Sequence, residues 1–320
     1  MEKLAPFRLR PWFSPRVWGT WDMKPWYDYV PLEEPVGEAW LSGDDSVVDS
    51  GPHAGQKFSS VFAQFREDLL GPGSENAVRF PLLMKVLFPQ DKLSVQVHPD
   101  DTMAREHGEP HGKTECWYAL DAKPGAQVAL GLLPGTTQAD VQAAIASNTL
   151  ESLLHWVPVQ KGDMIFVDAG TVHAIGPGVT LLETQQNSDM TYRLYDYGRP
   201  RELHLQHGMQ AVRLETHAGK VEPRSEGNKT LLVESKYFRV DHHRLSAANT
   251  TRKLVVRTQA GSSFGTVQLI FAASGSGTIH SENEAPLHLD RGQLAIVPAC
   301  VEEWSLTAAE PMEVLRVVPQ

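Results

Sequence analysis

The feature that most limits the fold of this chain is the shortness of its apolar runs. Phe80–Phe88, Leu93–Val97, Gln127–Leu132, Met164–Val167 and Val179–Glu183 are each rich in Val, Leu, Ile or Phe, and each is closed off by Gly, Pro or Asp. Runs of that length between turn formers read as buried strands and leave little room for long helices. Within Ser94-Val-Gln-Val-His98 a period of two puts Ser94, Gln96 and His98 on one face and both valines on the other.

Helical patterns are few. In Phe58–Leu70, Val61, Phe62, Phe65 and Leu69 recur at helical spacing until Gly71-Pro72. The Ala-rich stretch Thr137–Trp156 reads as one or two short helices, and Glu202–Leu214 as a third. Arg213–Lys229 is polar and aperiodic, which marks a connection into a second β-rich segment at about 230–320. Lys161–His173 and Arg291–Glu303 share one spacing: a Gly, a strand, a turn, and a polar residue eleven positions after the Gly. That residue is His173 in the first copy and Glu303 in the second. A repeated β-unit of this kind implies a mainly β fold of two related β-sandwich barrels, one with a ligand at the key position and one without.

A length of 320 residues fits two domains at about 150 residues each. We expect them at 1–220 and 221–320. The 29 Lys+Arg against 39 Asp+Glu give a net charge of -10, which argues against sequence-independent nucleic-acid binding, since that requires clustered cations. Two cysteines, Cys116 and Cys300, make neither a disulfide framework nor a cysteine-based zinc site. No apolar segment follows Met1-Glu-Lys, and no window approaches about 18 continuous apolar residues, so neither a signal peptide nor a membrane span is expected. The expectation is a reduced, cytoplasmic protein.

The chemistry gathers in the first of the two expected domains. Gln96 and His98 share a strand face, Lys113 and Glu115 are likewise two apart, and His173 follows the Gly162–Gly170 strand and turn. Two imidazoles, a carboxylate and an amide oxygen suit Zn²⁺ or another borderline divalent cation with an open position. Most of the other histidines read as ordinary surface or satisfied side chains. Lys85, read alone, ends an apolar run and snorkels to water.

The spacing Gly162…Gly170…His173 resembles the second motif of the cupin barrels. Ser94-Val-Gln-Val-His-Pro-Asp100, Lys113-Thr-Glu115, Val172-His-Ala-Ile175 and the stretch Glu183–Asp196 together resemble type I mannose-6-phosphate isomerases. Arg16-Val-Trp-Gly19, Gly37-Glu-Ala-Trp40 and Phe80-Pro-Leu-Leu-Met-Lys85 are further matches. The resemblance covers about residues 12–215, and the remainder fits a degenerate second barrel of a short bacterial form. It implies two cupin-like jelly-roll barrels and a zinc-dependent isomerase interconverting mannose 6-phosphate and fructose 6-phosphate, as a monomer or homodimer. Carried over by position, Gln96, His98, Glu115 and His173 would bind one Zn²⁺ per chain. Arg193 would be the catalytic arginine, Lys113 and Glu183 further active-site residues, and Lys85 and Ser94 would lie near the sugar phosphate. Two places depart from the family pattern: a usual Trp-Gly-Gly reads Trp18-Gly19-Thr20, and a usual Lys-Pro-Glu reads Lys113-Thr114-Glu115.

That chemistry is physically coherent. Moving a proton between adjacent carbons through an enediol builds charge on two oxygens, which a divalent cation and a fixed guanidinium stabilise. Glu183, Lys113 and a metal-bound hydroxide are all candidates for the base, with Lys113 and Glu183 the expected proton-transfer pair. Two other readings use the same residues: an Fe²⁺ oxygenase of the cupin class, and a sugar-binding barrel without turnover.

Overall fold

The computed structural model describes residues 4–28, 34–245, 265–282 and 284–320; the 246–264 part of the second β-rich segment lies outside the described residues. Four sheets dominate. A seven-stranded sheet runs in the order Gly219–Lys220, Met164–Val167, Glu115–Ala122, Val179–Gln186, Leu82–Leu87, Val36–Trp40, Trp12–Thr20. Facing it is a five-stranded sheet of Tyr192–Tyr195, Val95–Val97, His173–Ile175, Gln127–Leu132 and Leu154–Pro158. Trp18, Leu87, Trp117, Val128, Ile165 and Leu181 fill the space between them. The second barrel repeats the plan with an eight-stranded and a three-stranded sheet around Ile270, Val297, Trp304 and Leu306. The expected mainly β architecture of paired cupin-like barrels is what the chain adopts.

The two barrels meet back to back. The outer face of the seven-stranded sheet (Leu82, Met84, Val86, Cys116, Tyr118) packs in one core with Phe238, Val240, Leu269, Leu315 and Val317 of the eight-stranded sheet. Leu82–Leu87 is therefore buried at every position, which is why it reads in sequence as an unbroken apolar run. The eight-stranded sheet also recruits Phe7–Arg10, paired antiparallel with Leu294–Val297, and beyond it Val47–Val48. The repeated spacing holds in space. Gly162 and Gly292, at φ 91° and 82°, each turn the chain into a four-residue strand two residues later, a backbone region that favours glycine.

Local expectations hold in part. Gln127–Leu132 and Met164–Val167 are strands as read. The Phe58–Leu70 helix is broken at Phe65 (φ -123°, ψ 33°) into Phe58–Gln64 and Arg66–Leu70. In Thr137–Trp156 only Gln138–Ala146 is α-helical; a 3₁₀ turn follows, and Leu154–Pro158 is a strand on the edge of the five-stranded sheet. Leu205–Ala211 is the helix expected in Glu202–Leu214. The Arg213–Lys229 connection is not structureless, because Gly219–Lys220 and Arg224–Glu226 add a strand to one large sheet each. A helix absent from the sequence reading, Asp101–Glu106, is capped by Asp100, whose carboxylate accepts from the backbone N–H of Thr102 and Met103. Cys116 and Cys300 are buried and are not joined in a disulfide. Among the described residues no helix is long and apolar enough to cross a membrane.

Candidate active site

Strand alternation and register assemble the site. Met84 and Val86 point out of the first barrel, so Lys85 points in. It lies opposite Glu183, which in turn lies opposite Trp117, while Gln185 pairs with Glu115. On the facing sheet Gln96 has His173 on one side and Arg193 on the other. His98 is one residue past the Val95–Val97 strand, and Lys113 two residues before Glu115.

His98 Nε2 and His173 Nε2 each stand 3.5 Å from a different oxygen of Glu115, and their rings are 4.8 Å apart. The Gln96 amide is 3.2 Å from His173 Nε2. His98 Nδ1 donates to the Met190 carbonyl and His173 Nδ1 to the Thr171 carbonyl, both at 2.9 Å. Each imidazole is thereby turned with the Nε2 lone pair toward Glu115, the way outer hydrogen bonds orient metal-binding histidines. Burial pushes His98 well below its ordinary pKa and His173 down to about 4, so both are neutral, the ligating form. His98 Nε2 and both Glu115 oxygens are buried without a hydrogen-bond partner. Buried acceptors without a hydrogen bond are costly, and a divalent cation satisfies these three atoms at once. The donor set of two imidazoles, one carboxylate and one amide fits such an ion.

All nine residues expected from the sequence come together. Lys85, Ser94, Gln96, Lys113, Glu183 and Arg193 line a cavity of about 470 Å³, and Gln96 and Lys113 connect it to His98, Glu115 and His173. Lys113 Nζ is 3.3 Å from Glu115 Oε2. Burial alone would lower the pKa of Lys113, but the Glu115 and Glu183 carboxylates hold it above the ordinary lysine value, so it is an ammonium. Glu183 moves the other way: burial and the nearby Glu115 push its carboxyl up to about 7 against the pull of Lys113 and Lys85. Trp117 Nε1 donates to Glu183 Oε1 at 3.3 Å. Arg193 makes no ion pair among the described residues; its Nη1 donates to the Glu202 carbonyl at 2.7 Å, and its buried Nε has no partner.

Lys85 does not snorkel. It is 2% exposed, with Nζ 4.0 Å from the centroid of the Trp40 ring and 3.3 Å from Asp189 Oδ1. Four charged cavity residues received no role from the sequence: Arg16, Glu38, Asp189 and Arg201. Arg201 is clamped by Asp196 through Nε and Nη2 at 2.6 and 2.7 Å, and among the described residues its Nη1 makes no hydrogen bond. Glu38 accepts from Arg16 and Trp40. The first three lie inside quoted family stretches; the signal for Arg201 was the cation pair Arg199-Pro-Arg201 just after them.

Residues 7–137 match the family described as phosphomannose isomerase type I, catalytic domain. The mannose-6-phosphate isomerase of Streptococcus mutans is 34% identical over 93% of this chain and 94% of its own length. The chain belongs to the type I phosphomannose isomerases. Another member, mannose-6-phosphate isomerase ManA of Bacillus subtilis, is 37% identical over 78% of this chain and 82% of its own length. The crystal structure of the mannose 6-phosphate isomerase from Bacillus subtilis superposes with a TM-score of 0.84 at 30% identity, covering 98% of this chain and 99% of that one. One departure from the phosphomannose isomerase pattern has a visible use here. The Thr114 backbone N–H, which a proline would lack, donates to Gln186 Oε1 at 3.0 Å, and Thr114 Oγ1 accepts from Ala169 N–H. The residue between Lys113 and Glu115 is thus tied down by bonds rather than by a ring.

Proposed function

We propose that this phosphomannose isomerase interconverts mannose 6-phosphate and fructose 6-phosphate through an enediol, with one Zn²⁺ held by Gln96, His98, Glu115 and His173. The observation that carries the reading is the buried trio of His98 Nε2 and the two Glu115 oxygens, none of which makes a hydrogen bond, beside a cavity of opposed acid and base groups. Family membership names the substrate class. When bound, the ion supplies Lewis acidity toward the sugar oxygens.

The chain's own groups divide the remaining work. Glu183, with its raised pKa, takes the proton from C2 of the open-chain aldose and returns it to C1. Lys113, held as an ammonium, gives a proton to the developing oxyanion at O1 and recovers one from O2, so protons balance over the cycle. Arg193 lines the cavity with no carboxylate paired to it among the described residues, so its charge is left for the enediolate.

Five cations (Arg16, Lys85, Lys113, Arg193, Arg201) face three carboxylates (Glu38, Glu183, Asp189) around the cavity. In a chain of net charge -10, that local excess draws in a phosphosugar that the rest of the surface repels. Lys85 and Ser94 hold the phosphate, aided by the free Nη1 of Arg201. The oxygenase reading gains nothing from the site, whose donor set is half oxygen and opens onto a cation-lined cavity.

The test is a coupled assay from fructose 6-phosphate to mannose 6-phosphate before chelation, after it, and after zinc is added back. Activity lost and then regained is the expected result. Sugar-phosphate binding with no turnover in zinc-loaded protein would replace the isomerase with a binding module.

A further inference from the structure

Away from the cavity the molecule carries a second pair of imidazoles set like the first. His107, which ends the Asp101–Glu106 helix, and His207, in the Leu205–Ala211 helix, have ring centroids 4.6 Å apart at an interplanar angle of 46°. The corresponding values for His98 and His173 are 4.8 Å and 51°. Imidazoles sharing one ion through nitrogens about 2 Å from it lie roughly this far apart.

Tyr192 organises the pair. Its hydroxyl is 2.8 Å from His107 Nδ1, and its ring centroid is 5.6 Å from that of His207. With Nδ1–H donating to the phenol oxygen, His107 turns its Nε2 lone pair outward, as the Met190 and Thr171 carbonyls do for the buried histidines. Both rings are exposed, so an ion reaches them without displacing core. His204 takes no part through Nδ1, which accepts the Arg193 backbone N–H at 3.1 Å.

We propose that His107 and His207 form a second, surface site for a borderline divalent cation such as Zn²⁺ or Cu²⁺, with water completing its coordination. Among the described residues no third His, Cys, Asp or Glu joins them. With two protein ligands in water, the site binds more weakly than the buried set and fills after it. An occupying ion ties the Asp101–Glu106 helix to the Leu205–Ala211 helix across Tyr192, which begins the Tyr192–Tyr195 strand that carries Arg193. The inference is independent of the isomerase reading, since it concerns binding alone.

Equilibrium dialysis of the full chain against rising free Zn²⁺, with metal per chain and Tm measured together, tests it. Two steps are expected in the native protein. His107→Gln and His207→Gln should each abolish the second step and its rise in Tm while keeping the first; His98→Ala should do the reverse. The Tm of each variant in metal-free buffer confirms that it is folded. In protein whose buried site already holds zinc, one added equivalent of Cu²⁺ should show coupling to two nitrogens by electron paramagnetic resonance, a readout needing no substitution. A single step in the native protein, a second step surviving either glutamine variant, or coupling to one nitrogen overturns the proposal.

Discussion

Glu183→Gln separates the catalytic reading from a structural one, because it should act on activity and stability in opposite directions. The side chain is 5% exposed and carries a carboxyl moved from 4.5 to about 7 by burial and by Glu115. A folded-state pKa above the unfolded value means the fold favours the protonated form. That stabilisation is complete below about pH 4.5 and disappears as pH rises through 7. At about 1.4 kcal/mol for each pH unit between the two values, the ionised group costs the metal-free fold roughly 3 kcal/mol at pH 8. A cation bound beside Glu115 would cancel that carboxylate's repulsion, so the unfolding comparison belongs to the metal-free protein. Glutamine stays neutral, so urea unfolding should find the variant nearly level with the native protein at about pH 5 and more stable at about pH 8. Activity should fall by about 10²- to 10⁴-fold, the usual worth of a general base. In metal-free native protein, stability should fall as pH rises through about 7, a dependence the variant lacks. A Glu183→Gln enzyme within tenfold of native activity, or one destabilised at pH 8, refutes the assignment.

His98→Ala and His173→Ala should lose the tightly held equivalent of zinc and the activity together, as metal analysis after dialysis will show; an active, zinc-free variant would sink the metal reading. Arg193→Ala should keep its zinc and its Tm while kcat falls by about 10²- to 10³-fold, the range for removing one donor to a developing oxyanion. Lys85→Met should raise KM for the phosphosugar more than it lowers kcat, since a phosphate contact acts in ground and transition states alike; an unchanged KM transfers the role to Arg201. Asp241 is fully buried in the second barrel, with Lys229, Arg239 and Arg316 at 3.0, 3.1 and 2.8 Å. Lys229 and Arg239 keep Glu226 as a partner, but Asp241→Leu leaves the buried Arg316 without a carboxylate and should cost about 3–5 kcal/mol in denaturant unfolding, with native KM below the unfolding transition.

What the sequence made legible follows from the range over which each signal acts. Ser94, Gln96 and His98 could be placed on one face because strand alternation is local, and Lys113 and Glu115 for the same reason. Glu183 and Arg193 are different. They reach the site because Val179–Gln186 pairs between two strands distant in sequence and because Tyr192–Tyr195 pairs with Val95–Val97. Only the family resemblance carried that register. Leu150, Leu153 and Leu154 have helical spacing, yet pairing with Gln127–Leu132 draws the last of them into a strand. Tertiary pairing overrode a weak local period there. The Asp101–Glu106 helix, by contrast, had a readable signal in Pro99-Asp100, an N-cap before good helix formers. Phe7–Arg10 pairs with a strand nearly the whole chain away, and no local pattern encodes that.

The second barrel shows what the first must avoid. Both use the same glycine, strand and turn, but where the first keeps His173 facing a polar interior, the second continues into Trp304 and Leu306, which fill the space between its sheets. A small barrel that holds no ligand has to be packed, and apolar packing there removes the need for metal-binding side chains. Its service to the site is indirect. By covering Leu82, Met84, Val86, Cys116 and Tyr118, it makes the Leu82–Leu87 and Glu115–Ala122 strands buried on both faces. Lys85 and Glu115 therefore project from strands that cannot bend toward solvent, and Glu183 from Val179–Gln186, which is paired between those two and buries Leu182 in the same core. Unlike charges held a few ångströms apart in low dielectric relax readily if their supports yield. The raised Glu183 and the protonated Lys113 exist side by side because the sheet behind them is a shared core rather than a surface.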